Sequence, residues 1–289
     1  MKSSQLTLML LFLVLVNLVW AQSDLAAYQL YDAKGKSLEF KDLVKQSAKS
    51  DVVFFGELHN NPIDHWLQLE LTEALMDEGD LVLGAEMFET DDQIVLNEYL
   101  QGKIKLEHLK KEAKVWPNYD TDYAPLVEVA KEKGLDLIAT NVPRRYASLT
   151  SREGRGGLKD LDGAAIFLPE LPFEVTKGDR GYSEMMDMMG GHGHGMNMEY
   201  LVEAQALKDY TMASSIASAL PEKGVFLHFN GSFHSQYRAG IIPYLLAKNP
   251  KLDIVVIAAV EADDMTFKPE WAELGDVILV TPTNMTKTH

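Results

Sequence analysis

The sequence contains no cysteine. That absence excludes a disulfide framework, a thiolate metal site and the lipobox cysteine that a bacterial lipid anchor needs. It also leaves the chain indifferent to an oxidising compartment. Positive charge is scarce: 27 Lys and Arg stand against 43 Asp and Glu, for a formal net charge of −16. So acidic a chain lacks the basic face that sequence-independent binding to nucleic acid or anionic lipid requires. A local cationic pocket is still allowed. The one long apolar run is "LTLMLLFLVLVNLVW", near the start. With Lys2 ahead of it and "LVWAQS" behind, it reads as a signal peptide cleaved near Ala21. It is short for a membrane span and its flank is polar. The expectation is an exported chain, periplasmic or secreted, with residues 22–289 as one domain.

The remainder of the chain alternates between two periodicities. Val52–Phe55 reads as a buried strand. "NPIDHWLQLELTEALMDEG" reads as a helix, with Asn61 as cap, Pro62 at the first position and Gly79 as stop. Its apolar positions include Ile63, Trp66, Leu67, Leu71 and Leu75. Strands come next at "LVLGAEMF", "LDLIATN", "GVFLHFN", "LDIVVIAAV" and "DVILV", with "GAAIFLP" as a short further candidate. Helical stretches lie between them: 91–114 broken at Gly102, "DYAPLVEVAKEKG", and about 198–220. Strands that are apolar on every residue are covered on both faces. The pattern predicts an α/β fold. Its central sheet is largely parallel or mixed, with helices on both faces and helical insertions at the C-terminal edge of the strands. Residues 145–197 are read as a long excursion from that domain.

In such sheets the ligand site lies beyond the carboxyl ends of the strands. Those ends carry chemistry here. One supplies Glu57 and His59, another Glu86, a third Asn141 followed by Arg144 and Arg145. A later one supplies Asn230 and His234. Two ends share the spelling G-x-x-H, with Gly56 and Gly231 allowing a tight exit. Glu57, His59, Glu86 and His234 together form either a general acid/base set for a hydrolase or a ligand set for Zn, Mn or Fe(II). Asn230, Arg144 and Arg145 suit an anionic group. His65, in the first turn of a helix, is expected to be a neutral ligand or base. Gln205 and Asp209 are four apart, share a helix face and could point at the site. His228, inside an apolar strand, reads as a hydrogen-bonded core histidine.

A second unusual stretch is "GYSEMMDMMGGHGHGMNMEY", within the Met/His-rich loop 177–198. Six of the 13 methionines lie between Met185 and Met198, around His192 and His194. Thioethers and imidazoles suit Cu(I) and haem iron. Tyr182 and Tyr200 flank the loop and could ligate ferric haem as phenolates. A plain Met-rich cover over an apolar groove is the competing reading.

These elements together resemble a known family. They are "VVFFGELHNNPIDHWLQLEL", "LVLGAEMFETDDQ", "VWPNYDTDYAPLVEVAKEKGLDLIATNVPRR", "GHGHGMNMEYLVEAQALKDYTMASSI" and "HFNGSFHSQYRAGIIPYLL". In this order they resemble the ChaN-like haem-binding family, more distantly erythromycin esterases and TraB/Tiki-type proteins. The resemblance implies an α/β fold, an extracytoplasmic location, haem as cofactor and a role in iron acquisition. It also implies a homodimer and outer-membrane haem uptake machinery as partners. The distant relatives imply Glu57, His59, Glu86 and His234 as the positions that would carry any hydrolytic or metal-dependent chemistry.

Overall fold

The computed structural model describes residues 25–159, 161, 163, 166–176, 178–189 and 197–289. Eight strands form one sheet. They are β1 (Gln29–Asp32), β2 (Ser37–Leu38), β3 (Val52–Glu57), β4 (Leu81–Glu89), β5 (Asp136–Asn141), β6 (Val225–Gly231), β7 (Ile254–Ala262) and β8 (Val277–Pro282). Their order is β2-β1-β8-β7-β3-β6-β4-β5. From β3 onward all neighbours pair in parallel, whereas β1 runs antiparallel to β8 and pairs with β2 as a hairpin. The sheet is therefore mixed, with a parallel body and an antiparallel edge.

The β3 strand shows why polarity does not alternate. Val53 and Phe55 face one core, with Leu67, Leu71 and Leu75 of α2 (Pro62–Met76) and Leu126 and Val127 of α5 (Ala124–Lys133). That face also carries α1 (Phe40–Ser47), α3 (Gln93–Leu100) and α4 (Leu106–Glu112). Val52 and Phe54 face the other core, and are packed there by Met212, Ala213 and Ile216. All six residues of β3 are buried. Each of Val52, Val53, Phe54 and Phe55 contributes about 1.5–3 kcal/mol by leaving water, and along these four neither face has room for a polar residue. A third cluster holds the helical insertion beyond the strand ends. It joins α6 (Arg144–Glu153) and α7 (Arg180–Met189) to α8 (Met198–Ala219), through Ala147, Tyr182, Ala206 and Leu207. A last helix, α9 (Ile241–Lys248), covers the second face.

The local signals act as read. Asn61 accepts the Ile63 and Asp64 N–H groups to cap α2, and Pro62 is its first residue. Gly134 ends α5 at φ 68°, in the left-handed region that glycine enters without cost. Two expectations need correction. Trp66 is 44% exposed. Its ring packs edge-on to Tyr28 and its Nε1–H bonds Glu70, because the buried side of α2 is taken by Leu67, Gln68 and Leu71. The described residues of 163–169 hold no strand. The excursion after β5 opens with α6, whose charged sequence hides its helical face. Among the described residues no helix is long and apolar enough to cross a membrane.

Candidate functional site

Sheet order sets β3, β6, β4 and β5 side by side, so four carboxyl ends open on one cleft of about 620 Å³. Its walls include His59, Glu86, Trp116, Arg144, Gln205 and His234.

On one side Glu57 is the last residue of β3, not a residue beyond it, and is fully enclosed. Its carboxylate meets His59 Nδ1 at 2.8 Å and accepts from Gln68 Nε2 at 2.5 Å and the Tyr123 hydroxyl at 2.7 Å. Burial by itself would raise the Glu57 pKa, but His59, His65 and Gln68 reverse this and hold it below the ordinary value. Burial would likewise lower His59, yet Glu57 and Glu86 leave it raised. The pair is an imidazole hydrogen-bonded through Nδ1 to a buried carboxylate. The His59 carbonyl accepts from Asn118 Nδ2 at 3.0 Å and His65 Nε2 at 3.1 Å, which fixes the loop that carries the ring. The ring stands edge-on to Trp116, 5.0 Å between centroids. Among the described residues nothing hydrogen-bonds His59 Nε2, which faces Gly231. A Cβ on Gly231 would lie 2.7 Å from that nitrogen. Glycine is needed there for space, since its φ of −58° is ordinary. The turn-forming role read from the sequence is thus replaced by a close approach.

On the other side His234 ends a short helical turn, Ser232–His234. Its Nδ1 lies 2.5 Å from Asp209 and its Nε2 3.2 Å from Glu86. Glu86 also accepts the Gly231 N–H at 2.7 Å, and Asp209 the Tyr182 hydroxyl at 2.7 Å. Burial works against the charged ring, but Glu86 and then Asp209 outweigh it and hold the His234 pKa at about 10. Glu86 is held well below the carboxylate range despite burial, first by His234 and then by His59. Gln205 Nε2 lies 3.2 Å from His234 Nε2, so Gln205 and Asp209 share a face toward the site as their spacing predicts. Gln205 reaches the cleft. Asp209 is sealed behind His234 and orients it.

Other expected residues lie elsewhere. His65 is buried beneath the cleft, between Gln68 and Asp122. Asn230 is completely buried and spends its amide on His228, the Gly231 carbonyl and Ser235, so it offers nothing to a ligand. His228 bonds Thr140 and Asn230, and burial lowers its pKa to about 4, a neutral core histidine. Asn141 borders the cleft, and its Oδ1 is buried without a partner among the described residues. Arg144 borders the cleft and pairs with Glu89, whereas Arg145 turns to Asp91.

The phenolate expectation fails for Tyr182. Burial and the neighbouring Asp209 push its pKa far above the ordinary value, and its proton is committed to Asp209. Tyr200 borders a separate cavity of about 750 Å³, beside Gly154, Arg155 and Glu203. His192 and His194 lie outside the described residues. Glu57, His59, Glu86 and His234 do converge, but as two carboxylate–imidazole pairs. Among the described residues the spacing of metal ligands is met by Glu89, Asp91 and Asp92. Lys114, Arg144 and Arg145 already neutralise that trio.

Trp116, Asn118 and Tyr123 were not singled out from the sequence, although "VWPNYDTDY" is dense in aromatic and amide side chains. The π-helical turn Tyr119–Tyr123 brings Tyr123 back onto Glu57, a geometry that periodicity cannot foretell.

The arrangement can orient an imidazole for a metal centre, hold anionic groups, and move a proton between Glu86 and His234. Comparison with known proteins narrows this. The ChaN structure of Campylobacter jejuni, described by its cofacial heme binding, has the same fold. Its TM-score is 0.66 at 19% identity, over 88% of this chain and 96% of that one. A Bacillus cereus protein shares the fold at TM-score 0.51 and 10% identity, over 85% and 92% of the two chains. In sequence, the chloroplastic Protein RETICULATA-RELATED 5 of Arabidopsis thaliana is 24% identical over 225 residues. The match spans 71% of this chain but only 30% of the plant protein. The family model for haem-binding uptake proteins of the Tiki superfamily, ChaN, matches residues 43–245. Strand ends, cleft and both histidine pairs fall inside that match, and the chain belongs to the ChaN family of haem-binding uptake proteins.

Proposed function

We propose that haem sits in the cleft at the strand ends, with His59 Nε2 as an axial ligand. One observation carries this reading: the His59 side chain is 43% exposed and its Nε2 has no hydrogen bond among the described residues, while its Nδ1 is held by a buried carboxylate. Metal-ligating histidines are oriented and made more basic by such a partner. The surroundings fit the group. Trp116, Met185 and Phe233 offer apolar surface, and Arg144 and Lys208 are placed for the propionates. Bound haem supplies an iron to which an imidazole nitrogen can donate. Glu57 takes up the Nδ1 proton's charge, and the His234 pair keeps the floor of the cleft polar.

The leader-like run and the family support an exported carrier in haem or iron acquisition. Phe233 is 43% exposed at the cleft and Met186 38% exposed on α7. These apolar groups support a second copy closing over an open haem face, and hand-over to outer-membrane uptake machinery.

Haem titration of the chain from residue 22 onward tests the ligand. The Soret band should shift and saturate near stoichiometry. His59→Ala should weaken affinity at least roughly tenfold and change the spectrum, and Glu57→Gln should fall between roughly tenfold weaker and wild type. Unchanged affinity and spectrum in His59→Ala would sink the assignment. Light scattering with and without haem tests the second copy, and Phe233→Asp should hold the haem-loaded chain monomeric.

A further inference from the structure

The loop between β3 and α2, residues 58–61, carries His59 but makes little structure of its own. Its internal backbone bond runs from Asn61 N–H to the Leu58 carbonyl. Its remaining order is supplied from outside, and part of that supply comes from residues 285–289, beyond the region the family model matches. Thr288 N–H donates to the Asn60 carbonyl at 3.1 Å. The Thr288 hydroxyl donates to Asp122 Oδ2 at 2.7 Å. The same oxygen accepts from Asn118 Nδ2 at 2.6 Å, and that amide also donates to the His59 carbonyl at 3.0 Å. Lys287 pairs with Glu261, the carboxylate that also accepts from Asn61 Nδ2. The strap therefore grips the loop at Asn60 directly, at Asn61 through Glu261, and at His59 through Asp122 and Asn118.

The geometry points to Thr288 as a positioning residue that holds the His59 loop in its ligand-presenting conformation. It touches neither the imidazole nor the cleft, and acts through two carbonyls and one buried carboxylate. Losing the hydroxyl leaves Asp122 short of a donor in a buried setting and loosens the carboxylate on which Asn118 is anchored. One such bond is worth about 0.5–1.5 kcal/mol net, which is roughly a fivefold effect. The link from the strap to the ligand rests on His59 as the axial group. The grip on the loop does not.

The test uses the full chain with Thr288→Val, which keeps shape and N–H but removes the hydroxyl, and Thr288→Ser, which restores it. Amide hydrogen exchange without haem should quicken roughly fivefold at Asn61 and neighbouring loop amides in Thr288→Val. Haem should dissociate roughly fivefold faster. Thr288→Ser should restore both, with Tm near wild type in all three. Wild-type exchange in Thr288→Val overturns the strap. Faster exchange with unchanged haem dissociation overturns its link to the ligand, provided His59→Ala does weaken haem. If His59→Ala also leaves haem binding unchanged, the faster exchange upholds the grip on the loop and it is the axial assignment that falls.

Discussion

Replacing His234 by alanine is expected to cost about 3–5 kcal/mol, the range for removing one partner of a buried ion pair. That is a large fraction of the roughly 5–15 kcal/mol that holds a domain folded. The cost comes from the carboxylates left behind. Glu86 and Asp209 are both buried, and both face the His234 ring. Without the imidazolium, one carboxylate keeps the Gly231 N–H and the nearby His59, and the other keeps only the Tyr182 hydroxyl. Urea unfolding at neutral pH measures the loss. Acid should narrow the gap to wild type, because a protonated carboxyl needs no cation. Asp209→Asn added to His234→Ala should recover part of the loss. A His234→Ala protein as stable as wild type would show that the site is not held by this charge triplet.

The second large effect is the pH profile of stability, where two buried histidines act in opposite directions. His234 has its folded pKa raised from 6.5 to about 10. Its contribution is complete below pH 6.5 and disappears as pH rises through about 10. His228 has its folded pKa lowered from 6.5 to about 4. The unfolded chain then binds the proton more readily, so stability falls as pH drops from 6.5 toward 4 and levels below that. A tenfold difference in proton affinity between folded and unfolded chain is worth about 1.4 kcal/mol, so each limb amounts to a few kcal/mol. Chemical denaturation between pH 4 and 10 should trace a dome with its top near pH 6.5, where both limbs begin. His228→Gln should flatten the acid limb and leave the alkaline one. An alkaline limb that persists in His234→Ala would assign it to other groups.

Much of this was legible in the chain. The strands announce themselves because both faces of the sheet are covered, so Val52–Phe55 and Val277–Val280 have no polar position to hide behind. The α2 cap and the α5 stop are local hydrogen-bond and φ requirements, and local rules found them. Convergence of Glu57, Glu86 and the two histidines was also legible, since parallel strands must all deliver their carboxyl ends to one edge. The ferrous or zinc quartet was not assembled, because each carboxylate is already matched to an imidazole.

Roles, by contrast, were decided by burial and partners. Asn230 and His59 look equally functional as letters after an apolar run. The structure buries one among His228 and Ser235 and leaves the other with a free nitrogen at the cleft. Tyr182 has the look of an iron ligand in the sequence, but Asp209 holds its proton. Gly231 has the look of a turn and is a clearance of 2.7 Å. Composition and periodicity determined an α/β chain with an acid–imidazole edge, because those depend on near neighbours and on which faces meet water. Which imidazole keeps a nitrogen without a hydrogen bond among the described residues, and that Thr288 bonds the loop carrying it from more than two hundred residues away, required the tertiary structure. Those facts depend on which donors reach which acceptors once the chain has closed on itself.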